Sequence, residues 1–273
     1  MPSVTQNIDT WDSAYDWTDQ GEEWSRPWGG SEGQWYGSIF PRVQRLLPAP
    51  TVLEIAPGYG RWTAYLGDHC ERLVGIDVSA KCVDVCRSRF QDRPEMAFHV
   101  NDGRSLGAVD DRSIDLAFSF DSLVHVEAEV IDDYVNELAR VLADDGVAFL
   151  HHSNAGECVD QFPGWDTLDA NEIAQLEAAK TRPRAHWRAM SMTAGRMRDA
   201  AQAAGLSCTG QELIAWGGDQ LIDCVSVLVR SESARARPTV VKRNHHFAGE
   251  MHSIATTVAV YGEQPSADGT PTP

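Results

Sequence analysis

Val52-Leu53-Glu54-Ile55-Ala56-Pro57-Gly58-Tyr59-Gly60 is the stretch on which the reading of this 273-residue chain turns. Up to Ala56 it is apolar except for Glu54, as suits a short buried strand over 51–56. Gly58 and Gly60 follow with one residue between them, and residues 60–69 are expected to be helical. A strand that runs through such a turn into a helix presents backbone N–H groups to a ligand. Glycine permits the torsions and the close approach that this needs. Asp77 lies at the end of the next apolar run, RLVGIDV (72–78). A carboxylate there can accept the hydroxyls of a ribose. The stretch therefore predicts a nucleoside at the carboxyl edge of a sheet.

Working outward, apolar runs alternate with helical stretches. MAFHV (96–100), SIDLAFSF (113–120) and VAFLHH (147–152) read as further strands. Helices are expected at 80–90, with Ser79 as cap, and at 127–142, where Val130, Tyr134, Leu138 and Val141 recur at spacings of three and four. A helix over 192–206 leads to a strand within 206–216 and another at 221–230, joined by the turn Gly217-Gly218-Asp219-Gln220. The pattern predicts an α/β fold: a Rossmann-like sheet of seven strands, helices on both faces, and a terminal antiparallel hairpin at one edge.

The expected organisation has three parts. Residues 1–48 form a cover segment, rich in Trp, and a helix over 35–47; residues 49–230 form the ligand-binding domain, with a lid insertion at 155–192; residues 231–273 form an extension with a disordered end. HHFAGEMHSIATTVAVY (245–261) reads as either a helix or a strand that packs on a partner. The net charge of −17 argues against a nucleic-acid partner, because phosphate binding needs a basic footprint. No run reaches the length of a membrane span, and the first residues carry no secretory pattern. The six cysteines show neither C-x-x-C pairs nor zinc spacing. A cytoplasmic location is expected.

Two nucleoside ligands remain to be separated. A dinucleotide turn wants a third glycine, where this chain has Thr63. Arg61 and Trp62 fill the space a pyrophosphate would approach, and Glu54 would repel it while suiting an amino-acid ammonium. The ligand reads as a nucleoside joined to an amino acid. These residues resemble the class I S-adenosylmethionine-dependent methyltransferases. The glycine motif, Asp77, Asn101-Asp102-Gly103 and Phe120-Asp121 match that family's segments in order over roughly 50–230. The resemblance implies a donor site made of Glu54, Ala56, Gly58, Gly60, Arg61, Asp77, Val78, Asp102, Gly103 and Phe120. Asp102 would meet the adenine amino group, and Phe120-Asp121 would line the methyl donor.

Methyl transfer needs the acceptor in line with the sulfonium, and an oxygen acceptor needs a base or a metal. SFDSLVHVE and HHSN place Asp121, His125, His151 and His152 at the carboxyl ends of strands. Adjacent histidines on a strand face opposite sides. His152, nearer the strand end, is the expected general base, with Asp121 and His125 beside it. Asp121, Asp219 and His152 are alternatively the ligands of a magnesium ion. His245, His246 and His252 form a weaker second patch, and Phe162, Trp165, His186, Trp187 and Arg188 are expected in the lid. The pairing of the two motifs resembles bacterial sugar O-methyltransferases. A closer resemblance, to the mycobacterial enzymes that methylate O-1 of methylmannose polysaccharide precursors, implies a short 3-O-methylmannoside acceptor, magnesium assistance and a homodimer. A non-sugar acceptor, a nicotinamide dehydrogenase and a non-catalytic scaffold stand as alternatives.

Overall fold

A computed structural model describes residues 3–161 and 188–261. Eight strands form one sheet: β1 (Ala49–Ile55), β2 (Cys70–Asp77), β3 (Met96–Val100), β4 (Ile114–Leu123), β5 (Leu142–Ser153), β6 (Leu206–Ile214), β7 (Asp223–Arg230) and β8 (Val240–Asn244). Their spatial order is β3-β2-β1-β4-β5-β7-β6-β8. Only β7 runs antiparallel to its neighbours. The expected hairpin is present, but it is not an edge. β8 pairs parallel with β6 and covers it. The short V-V-K-R-N strand has too little apolar period to announce itself.

Strand alternation sorts the core into two layers. Leu53 and Ile55 of β1 join Ile131, Val135 and Leu138 of the helix Ala128–Val141 on one face. Val52 joins Trp35, Trp62, Leu66 and Val83 on the other. That second layer is built by the helices Thr63–Gly67 and Ala80–Arg89 and by the segment around Trp28 and Trp35. Ser79 caps the helix Ala80–Arg89 as expected, its Oγ accepting from the Cys82 amide at 3.0 Å.

The tryptophan-rich start of the chain is ordered against this body. Trp28 and Trp35 are fully buried. The helix Val4–Asp9 and the residues after it cross the carboxyl edge of the sheet: Asp12 accepts from the Ser79 hydroxyl, and the Asn7 amide donates to the His125 carbonyl at 3.2 Å. Residues 245–261, expected as helix or strand, form the helix Phe247–Tyr261. Its Ile254 and Val258 pack on Gly29, Gly33 and Gly37 of the opening segment. Among the described residues no helix is long and apolar enough to cross a membrane. Of the lid insertion, residues 162–187 lie outside the described residues, as do the terminal residues 262–273.

Candidate active site

The carboxyl ends of β1, β2 and β4 open into one cavity of about 870 Å³. One wall is the turn after β1. Gly58 and Gly60 take φ of 57° and 81° there, a region glycine enters without steric cost. A Cβ on Gly58 would also crowd Trp17, standing 3.0 Å from its ring, which stacks on Tyr59 at 4.4 Å. Asp77 accepts from the Gly58 amide at 3.0 Å and from the Ser79 amide at 2.9 Å. A carboxylate offers about four lone-pair sites, so capacity remains for ribose hydroxyls. Burial lifts the Asp77 pKa to about 6, against those two amides. Ala56, Val78, Gly103 and Phe120 complete this part of the lining. Of the ten residues expected at the donor site, Ala56, Gly58, Arg61, Asp77, Val78, Gly103 and Phe120 line the cavity, and Glu54, Gly60 and Asp102 do not.

Glu54 does not face the cavity. On a strand, Glu54 shares the face of Val52, and that face is roofed by the helix Thr63–Gly67. The Thr63 hydroxyl donates to Glu54 Oε2 at 2.5 Å. Burial, with the Asp77 charge adding to it against Thr63, pushes its pKa up to about 7. The group expected to meet an ammonium instead fastens strand to helix. Asp102 is also turned away: it is exposed, and its Oδ1 accepts from the amides of Arg104 and Ser105. Those two amides hold its pKa below the usual carboxylate range. Only its neighbour Gly103 reaches the cavity.

A second wall is the turn that closes β4. Asp121 and His125 both line the cavity, with Arg188 and Trp216 beyond them. Arg61 crosses from the glycine turn to this wall. Its guanidinium donates to Asp121 Oδ2 at 2.8 Å and to the Ser25 hydroxyl at 3.0 Å, and it stacks on Trp62 at 4.3 Å. Burial would raise the Asp121 pKa; the His151 ring and Arg61 outweigh it and hold the group below its ordinary value. The roof is the opening segment, through Trp11, Trp17, Glu23 and Trp24. Glu23 is fixed by the Tyr15 hydroxyl and the Gly21 amide, each at 2.9 Å.

His152 does not reach the site. It lies on the face of Ala148 and Leu150, fully buried. One ring nitrogen is 2.8 Å from the Ser226 hydroxyl and the other 2.8 Å from the Ser153 carbonyl. Burial drives its pKa down to about 4. His151 is the one turned toward Asp121, its Nδ1 accepting from the Asp121 amide at 3.1 Å. Nearness to the strand end misled the choice; the face decides, and apolar residues on both faces of β5 conceal it. The magnesium set fails for the same reason. Of Asp121, His152 and Asp219, only Asp121 lines the cavity, and it is taken up by Arg61 and His151. Among the described residues no three His, Cys, Asp or Glu side chains stand as a metal-binding group. These residues do not fit the ion.

Sequence reading passed over Trp11, Trp17, Glu23 and Trp24 as individual site residues. Their crowding in an opening segment was the available signal, and it pointed to a cover without saying what it covers.

Residues 52–146 match a family described as a methyltransferase domain. No curated protein matches the chain. Among solved structures, magnesium protoporphyrin IX methyltransferase from Synechocystis, solved with bound S-adenosylhomocysteine, is 15% identical over 84% of this chain and 100% of its own, with a TM-score of 0.54. A protein from Pyrococcus horikoshii is 20% identical over 76% of this chain and 98% of its own, TM-score 0.52. An S-adenosylmethionine-dependent methyltransferase from Mesorhizobium loti is 16% identical over 72% and 98%, TM-score 0.51. At such identities the structures speak for the fold alone. Residues 52–146 thus match a methyltransferase domain, and the fold of the whole agrees with that match.

Proposed function

We propose that the chain methylates a hydroxyl of a small carbohydrate, using S-adenosylmethionine as donor. The observation that carries this reading is the single cavity that joins the Gly58–Asp77 wall to Asp121 and His125 under a roof of indoles. Its volume lies in the range of ligand pockets. Indole faces suit the C–H faces of a sugar, and Glu23, Asp121 and Glu127 offer carboxylates for its hydroxyls.

In this reading Gly58 and Asp77 hold the nucleoside of the donor, which supplies an activated methyl group. Asp121 accepts a hydrogen bond from a neighbouring hydroxyl of the sugar and so orients the acceptor hydroxyl toward the methyl group and His125. The acceptor oxygen bonds to the methyl carbon as the carbon–sulfur bond breaks; the sulfur keeps the electron pair and departs as a neutral thioether. His125 takes the hydroxyl proton, as an imidazole can near neutral pH. The roof excludes water, which would compete as acceptor.

A donor-dependent screen over free and methylated sugars, with phenols as the contrast, tests this. A short 3-O-methylmannoside is the first acceptor to try, since the sequence resemblance points to it. Methyl transfer to a sugar is expected, with His125→Ala lowering kcat about 10²-fold and leaving S-adenosylhomocysteine affinity unchanged. Transfer to phenols alone would overturn the carbohydrate reading, and an unchanged rate in His125→Ala would remove the base.

A further inference from the structure

We infer that His151 and Asp223, neither of which lines the cavity, are positioning residues that set the place of the Asp121 carboxylate for methyl transfer; the inference rests on the reading of the cavity given above.

Asp121 takes φ of 68°. A residue with a side chain seldom holds such a left-handed conformation, and it keeps it where its surroundings enforce it. The surroundings here are specific. His151 Nδ1 accepts from the Asp121 amide at 3.1 Å and stands 3.4 Å from its Oδ1. Phe120, the residue before, stacks on the His151 ring at 4.5 Å. Arg61 holds the other carboxylate oxygen from across the cavity. Asp121 is thus gripped by its backbone from behind and by its side chain from in front.

His151 is itself enclosed. It is fully buried, and its Nε2 stands 3.3 Å from Asp223 Oδ2, an ion-pair contact without hydrogen-bond alignment. Asp223 is fully buried too, and it is anchored by the two-pronged Arg188 guanidinium, at 2.8 Å to each oxygen, and by Trp216 Nε1 at 2.5 Å. These partners offset the cost of burying its charge, and Arg188 with His151 holds its pKa low against burial. β5 and β7 are paired through this region, so both side chains stand on rigid backbone.

The ring grips Asp121 in either protonation state. Burial disfavours its cation, but the flanking carboxylates outweigh that and hold its pKa above the ordinary value. When neutral, Nδ1 accepts the Asp121 amide hydrogen; when charged, it gives up that bond and its N–H faces the Asp121 carboxylate instead. No substrate contact is required of His151 or Asp223. Their contribution is to keep Asp121 from relaxing, since a displacement of about 1 Å at a reacting group lowers rate by up to 10²-fold.

The test compares the wild type with His151→Asn, His151→Leu and Asp223→Asn, by crystal structure, by calorimetry with S-adenosylhomocysteine, and by kcat and KM on the acceptor the screen returns. Asn offers an oxygen where Nδ1 stands; Leu fills the space and offers nothing. Residue 121 is expected to keep its left-handed conformation and its Arg61 contact in His151→Asn, with kcat within about three-fold of wild type, and to lose both in His151→Leu, with kcat down at least about ten-fold. S-adenosylhomocysteine affinity should be unchanged in each. An unmoved residue 121 in His151→Leu, or equal loss of kcat in Leu and Asn, overturns the inference. Should His151→Leu fail to fold, the near-isosteric Asp223→Asn decides: a several-fold fall in kcat at constant donor affinity supports the role, and an unchanged kcat ends it. A wild type that binds no S-adenosylhomocysteine would defeat the methyltransferase reading instead, and the crystal structures would still decide whether His151 sets residue 121.

Discussion

Residue by residue, the site separates positions decided by local chemistry from positions decided by the rest of the fold. Gly58, Gly60 and Asp77 belong to the first kind. Positive torsions at the glycines and a carboxylate at the strand end follow from a few neighbouring residues, and the structure places them where the spacing said. Glu54, Asp102 and His152 belong to the second. Each has the right chemistry, but its destination depends on which face is covered and which amide lies nearest. The buried acids leave a measurable mark. Glu54 has its pKa raised from 4.5 to about 7, so between those values the folded protein holds a proton that the unfolded chain has released. Acidification through that window stabilises the fold. Asp77 acts in the same direction between its raised value of about 6 and 3.8. His152 opposes them, since the unfolded chain binds its proton below 6.5 and the folded one only near 4. Thermal midpoints should therefore rise as pH falls from about 8 to 6.5, and Glu54→Gln should flatten that rise. A midpoint that falls over this interval, or an undiminished rise in Glu54→Gln, would be at odds with a buried, protonated Glu54.

At the scale of elements, strong period was legible and weak period was not. The helices at 80–90 and 127–142 and the strands β1 to β7 stand close to where apolar spacing put them. β8 was missed because V-V-K-R-N gains its place only by pairing with β6. The antiparallel pair was read as an edge for the same reason. One cap ties an element to the site. Ser79 accepts from the Cys82 amide, donates to Asp12 of the cover, and follows Asp77 by two residues. Ser79→Ala should cost about 1 kcal/mol, the usual value of an N-cap. Urea denaturation measures it; a loss below a few tenths of a kcal/mol would mean that the cap and the strap are both dispensable.

Over the whole molecule, the two ends of the described chain close on each other. Gly29, Gly33 and Gly37 form a groove that receives Val258 and Ile254 of the helix Phe247–Tyr261. That long-range match was invisible in the sequence, since neither partner signals the other. A Cβ on Gly33 would stand 2.7 Å from the Trp28 carbonyl oxygen. Backbone must shift to admit it, so Gly33→Ala should destabilise by about 1–3 kcal/mol, against a helix-propensity gain of at most about 1 kcal/mol. A lowered Tm in scanning calorimetry is the expected outcome, and a raised one would show that the groove yields. This closure also keeps Trp28 buried between Trp216 and Phe247, and so supports the roof of the cavity.

Donor binding is the claim on which the rest depends, and titration calorimetry with S-adenosylhomocysteine and with NAD tests it most directly. S-adenosylhomocysteine should bind at one site, NAD should not, and Asp77→Ala should weaken the former by about 1.5–3 kcal/mol, as for lost hydrogen bonds to a charged group. Binding of NAD with none of S-adenosylhomocysteine would contradict the account.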